Sequence, residues 1–369
     1  MFGRPDYPGT NTDLRTPEHE QSGLHCVLHE CAGKTPDEIL RQCVFGSACG
    51  QVASGRTKKR IKKVVHYSDN FSDYRSLRYW PTWLGLGAMK VLGHFPYRLA
   101  VFLGNLFGNL MLLFAHDRRR IATTNIRLCF PELTTTEQKL LTRQTMIDNG
   151  VGFLEMCIAW FNPNSITDDM VEFVGEQHLT DAVAKGQGVI LVGAHYTTLD
   201  LGGVLMAKYQ QVGVMYRKLK NPLFNLVMKN SRKKFCAEAI DRSDMRSVIR
   251  FIRKGGIMWY APDQDYGPKH AVFAPFFGIE AATITVIPRL VKINNSAVII
   301  LSHHRKPNGE GYIVTLSEPL INFPSGDEKQ DATVINAALE ERIRQYPAQY
   351  MWLHRRFKSR QEGQEKLYS

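Results

Sequence analysis

The 369-residue sequence predicts an α/β fold: a mixed, largely parallel sheet flanked by helices, with an N-terminal membrane-associated helical region. Three observations predict it. From about Val171 onward, short apolar runs alternate with amphipathic helical stretches, the pattern that builds parallel sheets. Polar residues follow three of those runs directly, where open α/β sheets place their ligand crevices. Ahead of them, Leu99 to Ala115 holds 17 residues without a charge, the low edge of what spans a bilayer.

Residues 1–75 are expected to form a polar, cysteine-containing extension of unknown role. They carry four of the seven cysteines (Cys26, Cys31, Cys43, Cys49) and end near the basic cluster Lys58 to Lys63. The spacing of Cys26 and Cys31 with His25 and His29 matches no common zinc module, and the charge run reads as a solvated face. Residues 76–120 are expected to anchor the protein, as one short or tilted span or as interfacial helices. Tyr79, Trp80, Trp83 and Tyr97 flank the apolar stretch as interfacial aromatics do, and Arg118, Arg119 and Arg120 close it on the basic side.

Residues 121–369 are expected to form the α/β domain. Arg118–Phe130 reads as an amphipathic helix stopped at Pro131. Thr134-Thr135-Thr136-Glu137 opens another helix toward Trp160, with breaks at Asn149-Gly150. The strand candidates are Val189–Val192, Val212–Tyr216, Ile257–Tyr260, Ala297–Leu301 and Tyr312–Leu316. The helix candidates are 198–209, 221–235, 243–254, 283–294 and 330–345. Cys129, Cys157 and Cys236 lie in apolar or helical contexts and read as reduced core residues.

Composition narrows the function classes. A hydrophobic content of 44% with 22% charged residues excludes a disordered chain. Lys and Arg number 47 against 35 acids, a net charge of +12 that favours an anionic partner: membrane phosphates, nucleic acid or an acidic carrier protein.

The most informative stretch is Val192-Gly193-Ala194-His195-Tyr196-Thr197-Thr198-Leu199-Asp200. An apolar strand delivers an imidazole at its carboxyl end, and a carboxylate follows five residues later. If His195 sits in the loop and Asp200 in the first helical turn, the carboxylate can steady the imidazolium of a general base. Thr197 or Thr198 would cap that helix. Arg217 ends the second strand candidate and can offer a forked donor to phosphate or carboxylate across the same crevice. Asp263 and Asp265 follow the third, on a Pro-bounded turn that could bind metal, organise arginines or shape the loop. The block Tyr350-Met351-Trp352-Leu353-His354-Arg355-Arg356-Phe357-Lys358 mixes aromatics with bases, as surfaces for nucleic acid or lipid head groups do. The chain has neither the G-x-S-x-G elbow nor the G-x-x-x-x-G-K-S/T loop, which favours direct transfer over a covalent acyl-enzyme.

Taken together, Arg78-Tyr79-Trp80-Pro81-Thr82-Trp83-Leu84-Gly85, Asn125 to Glu132, the His195/Asp200 block, Tyr216-Arg217 with Asn221-Pro222, Trp259 to Pro268 and Tyr350 to Lys358 resemble the late acyltransferases of lipid A biosynthesis. The likeness covers about residues 76–365 and is strongest to the lauroyl and palmitoleoyl branch. It implies an inner-membrane enzyme facing the cytoplasm that moves an acyl group from acyl carrier protein to a hydroxyl of a hydroxyacyl chain on Kdo-bearing lipid IV-A. The family's His-x4-acid pair falls on His195 and Asp200, and its substrate-binding positions fall on Arg217, Asp263 and Asp265. The expected partners are acyl carrier protein, the lipid A precursor and membrane lipids, with no nucleic acid, metal or dissociable cofactor. The alternatives are a glycerophosphate or lysophospholipid acyltransferase, whose Phe-Pro-Glu-Gly-type block is replaced here by Ala261-Pro262-Asp263-Gln264, and a metal-dependent glycosyltransferase using Asp263 and Asp265.

Overall fold

The computed structural model describes residues 66–269, 271–307 and 309–368; Cys26, Cys31, Cys43, Cys49, the paired histidines and the Lys58–Lys63 cluster lie outside them. Two helices lead, α1 (Trp80–Gly93) and α2 (Tyr97–Phe114), followed by α3 (His116–Cys129) and the long α4 (Thr135–Phe161). Thr134 caps α4 through a reciprocal box with Glu137. Then come β1 (Val171–Val174), α5 (Glu176–Ala184), β2 (Val189–Val192), α6 (Leu199–Ala207), β3 (Gly213–Tyr216) and α7 (Pro222–Arg232). The Asn221 side chain accepts from the Phe224 N–H and Pro222 fills the first turn, so α7 starts where its orphan donors are covered. The chain continues through β4 (Glu238–Asp241), α8 (Met245–Arg253), β5 (Ile257–Tyr260), the hairpin β6 (Ala271–Phe276) and β7 (Ile279–Ile284), α9 (Val286–Asn294), β8 (Ala297–Arg305), β9 (Tyr312–Pro319) and α10 (Glu328–Gln345).

Seven strands form one sheet in the order β1-β9-β8-β2-β5-β3-β4, parallel except at the β8–β9 pair. Central β2 is buried on both faces, as its unbroken Val-Ile-Leu-Val run requires. Val189 and Leu191 face a core shared with α1, α2, α4, α5, α6 and α7. Ile190 and Val192 face the opposite core, built from α3, α8, α9 and α10. All five strand candidates and the five helix candidates are present, with β8 and β9 each running several residues further. The edge strands β1 and β4 and the β6–β7 hairpin had no strand candidates of their own.

The structure overturns the break at Asn149-Gly150, because α4 runs through it. A Cβ at Gly150 would lie 2.3 Å from the Gly108 nitrogen and 2.4 Å from the Gly104 carbonyl oxygen. The glycine therefore serves close helix packing rather than a bend. Ala100, Gly104 and Gly108 form the matching inner stripe of α2, while Phe102, Leu106, Leu110 and Leu113 remain exposed. By length and a mean hydropathy of 1.4, α2 could cross a membrane. Cys129, Cys157 and Cys236 are buried and unpaired as expected, and burial pushes the Cys157 and Cys236 thiols up to about 12.

Candidate active site

The loop that leaves β2 carries His195 to the carboxyl edge of the sheet. Gly193 is required there, since a Cβ would lie 2.6 Å from the indole nitrogen of Trp259. The loop is then clasped by a distant segment. The Thr197 N–H donates to the Gln349 carbonyl at 2.8 Å, and the Met351 N–H donates to the His195 carbonyl at 2.9 Å.

That clasp corrects the reading of the Tyr350–Lys358 block as a surface for nucleic acid or lipid head groups. Tyr350, Trp352, Arg356 and Phe357 are fully buried. Asn125 holds the carbonyls of Trp352 and His354, and Arg356 donates to the Ala282 carbonyl and the Thr283 hydroxyl.

The partner of His195 is Asp263. One carboxylate oxygen accepts from Nδ1 at 2.6 Å and the other from the His195 backbone N–H at 2.9 Å. Asp263 is completely buried. Burial alone would raise its pKa, but the His195 charge and hydrogen bonds outweigh it and hold the carboxyl well below the usual range. An ionised carboxylate only accepts, so Nδ1 bears a proton, and Nε2 is left without a hydrogen-bond partner among the described residues. The His354 ring lies 6.3 Å away, its Nδ1 bonded to the Met351 carbonyl and its Nε2 reaching the Asp263 carbonyl at 3.3 Å.

The expected pairing of His195 with Asp200 is therefore corrected. Asp200 does enter the first turn of α6, but its carboxylate accepts from Arg232 of α7 at 2.8 Å. Nor does the Thr198 side chain cap α6, although it occupies the N-cap position. Its hydroxyl bonds Nδ1 and the carbonyl of His303 instead. Asp265 shapes the loop, accepting from the N–H groups of Gly267 and Ser359 and from the Ser359 hydroxyl. With Asp263 committed to His195 and Asp265 to Ser359, the two carboxylates are not turned together toward a common ion. That geometry removes the basis of the glycosyltransferase alternative.

His195, Asp200 and Arg217 do share one cavity of about 520 Å³. Its mouth is polar, with Arg217, Arg242, Gln264 and Tyr266. Its interior is apolar, with Met206, Val212, Met228, Phe235 and Cys236. A cationic mouth, an imidazole with a free nitrogen and a hydrocarbon-lined interior suit an amphiphile with an anionic end.

Residues 70–359 match the family of bacterial lipid A biosynthesis acyltransferases. The chain belongs to that family. It is 36% identical to the lipid A biosynthesis lauroyltransferase of Escherichia coli K12 over 293 residues, covering 79% of this chain and 95% of that one. It is 34% identical to the palmitoleoyltransferase of the same strain over 292 residues, with the same coverage. Identity to the myristoyltransferase is 27% over 319 residues, covering 85% of this chain and 97% of the other, which agrees with the lauroyl and palmitoleoyl branch expected from the motifs.

In this acyltransferase the sequence spacing hid the true partner of His195. His195 and Asp263 are 68 residues apart, and only the adjacency of β2 and β5 in the sheet brings them together. The available signal was the position of both residues just beyond strand ends. A second buried group was missed altogether: Arg305, at the end of β8, donates to Glu155 and Asp148 of α4, and Tyr312 donates to Glu155. Nothing in their local sequence marks them as partners.

Proposed function

We propose that the protein transfers a fatty acyl group from acyl carrier protein to a hydroxyl of a hydroxyacyl chain on Kdo-modified lipid IV-A, with His195 as general base. The observation that carries this reading is the His195–Asp263 pair at the wall of an apolar cavity with a cationic mouth. The acceptor hydroxyl gives its proton to Nε2 of His195 as its oxygen attacks the thioester carbonyl. Asp263 steadies the imidazolium that forms. The tetrahedral intermediate then collapses, the carbon–sulfur bond breaks, and His195 returns the proton to the departing thiolate. Backbone N–H groups in the first turn of α6 are suited to stabilise the oxyanion.

Arg217 supplies a forked donor for phosphate at the mouth, and the apolar interior takes the acyl chain. Asp200 supports the site through Arg232, and Asp265 supports it through its loop. The exposed apolar face of α2 seats the enzyme on the cytoplasmic side of the inner membrane. Residues 76–120 would supply the attachment and 121–369 the transferase, with residues 1–75 an extension of unassigned role.

The test uses membranes bearing the full chain, a panel of acyl carrier thioesters and the Kdo-modified precursor, with products weighed by mass spectrometry. His195→Ala and Asp263→Asn should each lower kcat by about 10²–10⁴ while leaving the protein in the membrane fraction. Near-normal turnover of His195→Ala would overturn the base assignment.

A further inference from the structure

Outside the cavity, the strongest unexplained feature is a row of cations that begins at its mouth. Arg217 and Arg242 line the opening, and α8 starts three residues beyond Arg242. Arg242, Arg246, Arg250 and Lys254 follow at four-residue intervals, with Arg253 beside the last two. All are exposed. None takes part in an ion pair among the described residues. The inner side of α8 is apolar, with Val248 and Ile252 sunk in the core beneath the sheet. The helix thus presents its positive side outward, roughly 10 Å long from Arg246 to Arg253.

We propose that this row is the docking surface for an acidic protein, the carrier that delivers the thioester, and so it rests on the acyl-transfer reading above. Two arguments select an acidic protein over anionic lipid. The exposed apolar residues of α2 belong to the helices on one face of the sheet, whereas α8 packs on the other. A bilayer that receives Phe102, Leu106 and Leu113 is therefore not the surface that α8 meets. The row also leads into the cavity, so a carrier bound along it has its tethered thioester at the mouth. Arg217 and Arg242 stand there to meet the phosphate of the tether. Unpaired like charges along one helix self-repel, and an oppositely charged partner relieves that cost and speeds encounter.

The test is the triple charge reversal Arg246→Glu, Arg250→Glu, Arg253→Glu in the full chain, none of which lines the cavity. Transfer is measured from an acyl carrier thioester and from the corresponding acyl-pantetheine, which lacks the protein. The KM for the carrier thioester should rise on the order of tenfold or more, with kcat at saturation and acyl-pantetheine turnover unchanged. The wild-type KM for the carrier should rise with added salt, and that of the variant should not. An unchanged KM, or equal losses with both donors, overturns the docking surface. So does loss of binding to phosphatidylglycerol vesicles with carrier kinetics intact. A wild type active with acyl-pantetheine but indifferent to the carrier defeats the docking surface and leaves acyl transfer standing. A wild type idle with every thioester defeats both.

Discussion

The proton on His195 lies on Nδ1 because both oxygens of Asp263 face the residue as acceptors. Which ring nitrogen stays free is thereby chosen by a side chain from a different strand-end loop. Asp200, five residues downstream, holds Arg232 across to α7. These roles can be separated by experiment. Removing Asp200 alone leaves a nearly buried guanidinium without its partner and should cost about 3 kcal/mol of stability, together with much of the activity. Asp200→Ala combined with Arg232→Met should recover most of both, read by thermal unfolding and turnover. A stable but inactive double variant would show that Asp200 acts on the chemistry directly. The His195 signal was legible in sequence, since a histidine directly after an apolar strand is a placement statement. Its partner was not legible, because i to i+5 proximity is local arithmetic while β2–β5 adjacency is tertiary.

Helices α2 and α4 meet backbone to backbone at Gly104, Gly108 and Gly150. In sequence Gly150 looked like a breaker, because propensity reports only what glycine costs a helix. The packing partner that makes it necessary lies in another helix. Gly150→Ala should force the two backbones apart and lower stability by about 1–3 kcal/mol, measured as the midpoint of thermal unfolding. A gain in stability would contradict the close approach. On the cavity wall, the buried Phe235 ring lies 2.7 Å from where a Cβ on Gly203 of α6 would stand. Shortening it with Phe235→Ala should shift donor preference toward longer acyl chains. Each extra methylene accommodated is worth about 0.8 kcal/mol, roughly fourfold in discrimination, read from competition among acyl carrier thioesters. An unchanged chain-length profile would place the acyl chain elsewhere.

At the largest scale, the described residues give the two faces of the sheet different coverings. One side carries the helices with exposed apolar residues, the other carries the cationic row, and the imidazole opens at the carboxyl edge between them. The alternation of strands and helices made this layering legible, and the isolated apolar stretch marked α2. The edge strands escaped because Glu172 in β1 and Glu238 and Asp241 in β4 interrupt any apolar run, and the hairpin because Pro275 and Glu280 do the same in β6 and β7.

Buried histidines also contribute to the acid response of the fold. Burial pushes His303 down to about 4 and His304 down to about 3. The unfolded chain therefore binds more protons than the native one once the pH drops below about 6.5, and stability falls with it. Asp263, held low by His195, adds a further loss only below about pH 4. Unfolding midpoints should be flat above pH 7 and decline steadily from pH 6 to pH 4. Replacing His304 with Phe should shallow that slope, and an unaltered slope would assign the response to other groups.

The strap formed by Gln349 and Met351 has a consequence in time as well as in space. A ribosome emits residues in order, and the hydrogen bonds that set the His195 loop come from a segment made more than 150 residues later. A nascent chain interrupted between Pro319 and Gln349 can complete its strands and still lack an aligned imidazole. Truncated products of that length would keep α2 and the sheet without the aligned imidazole, so competence arrives only once Gln349 and Met351 have been made.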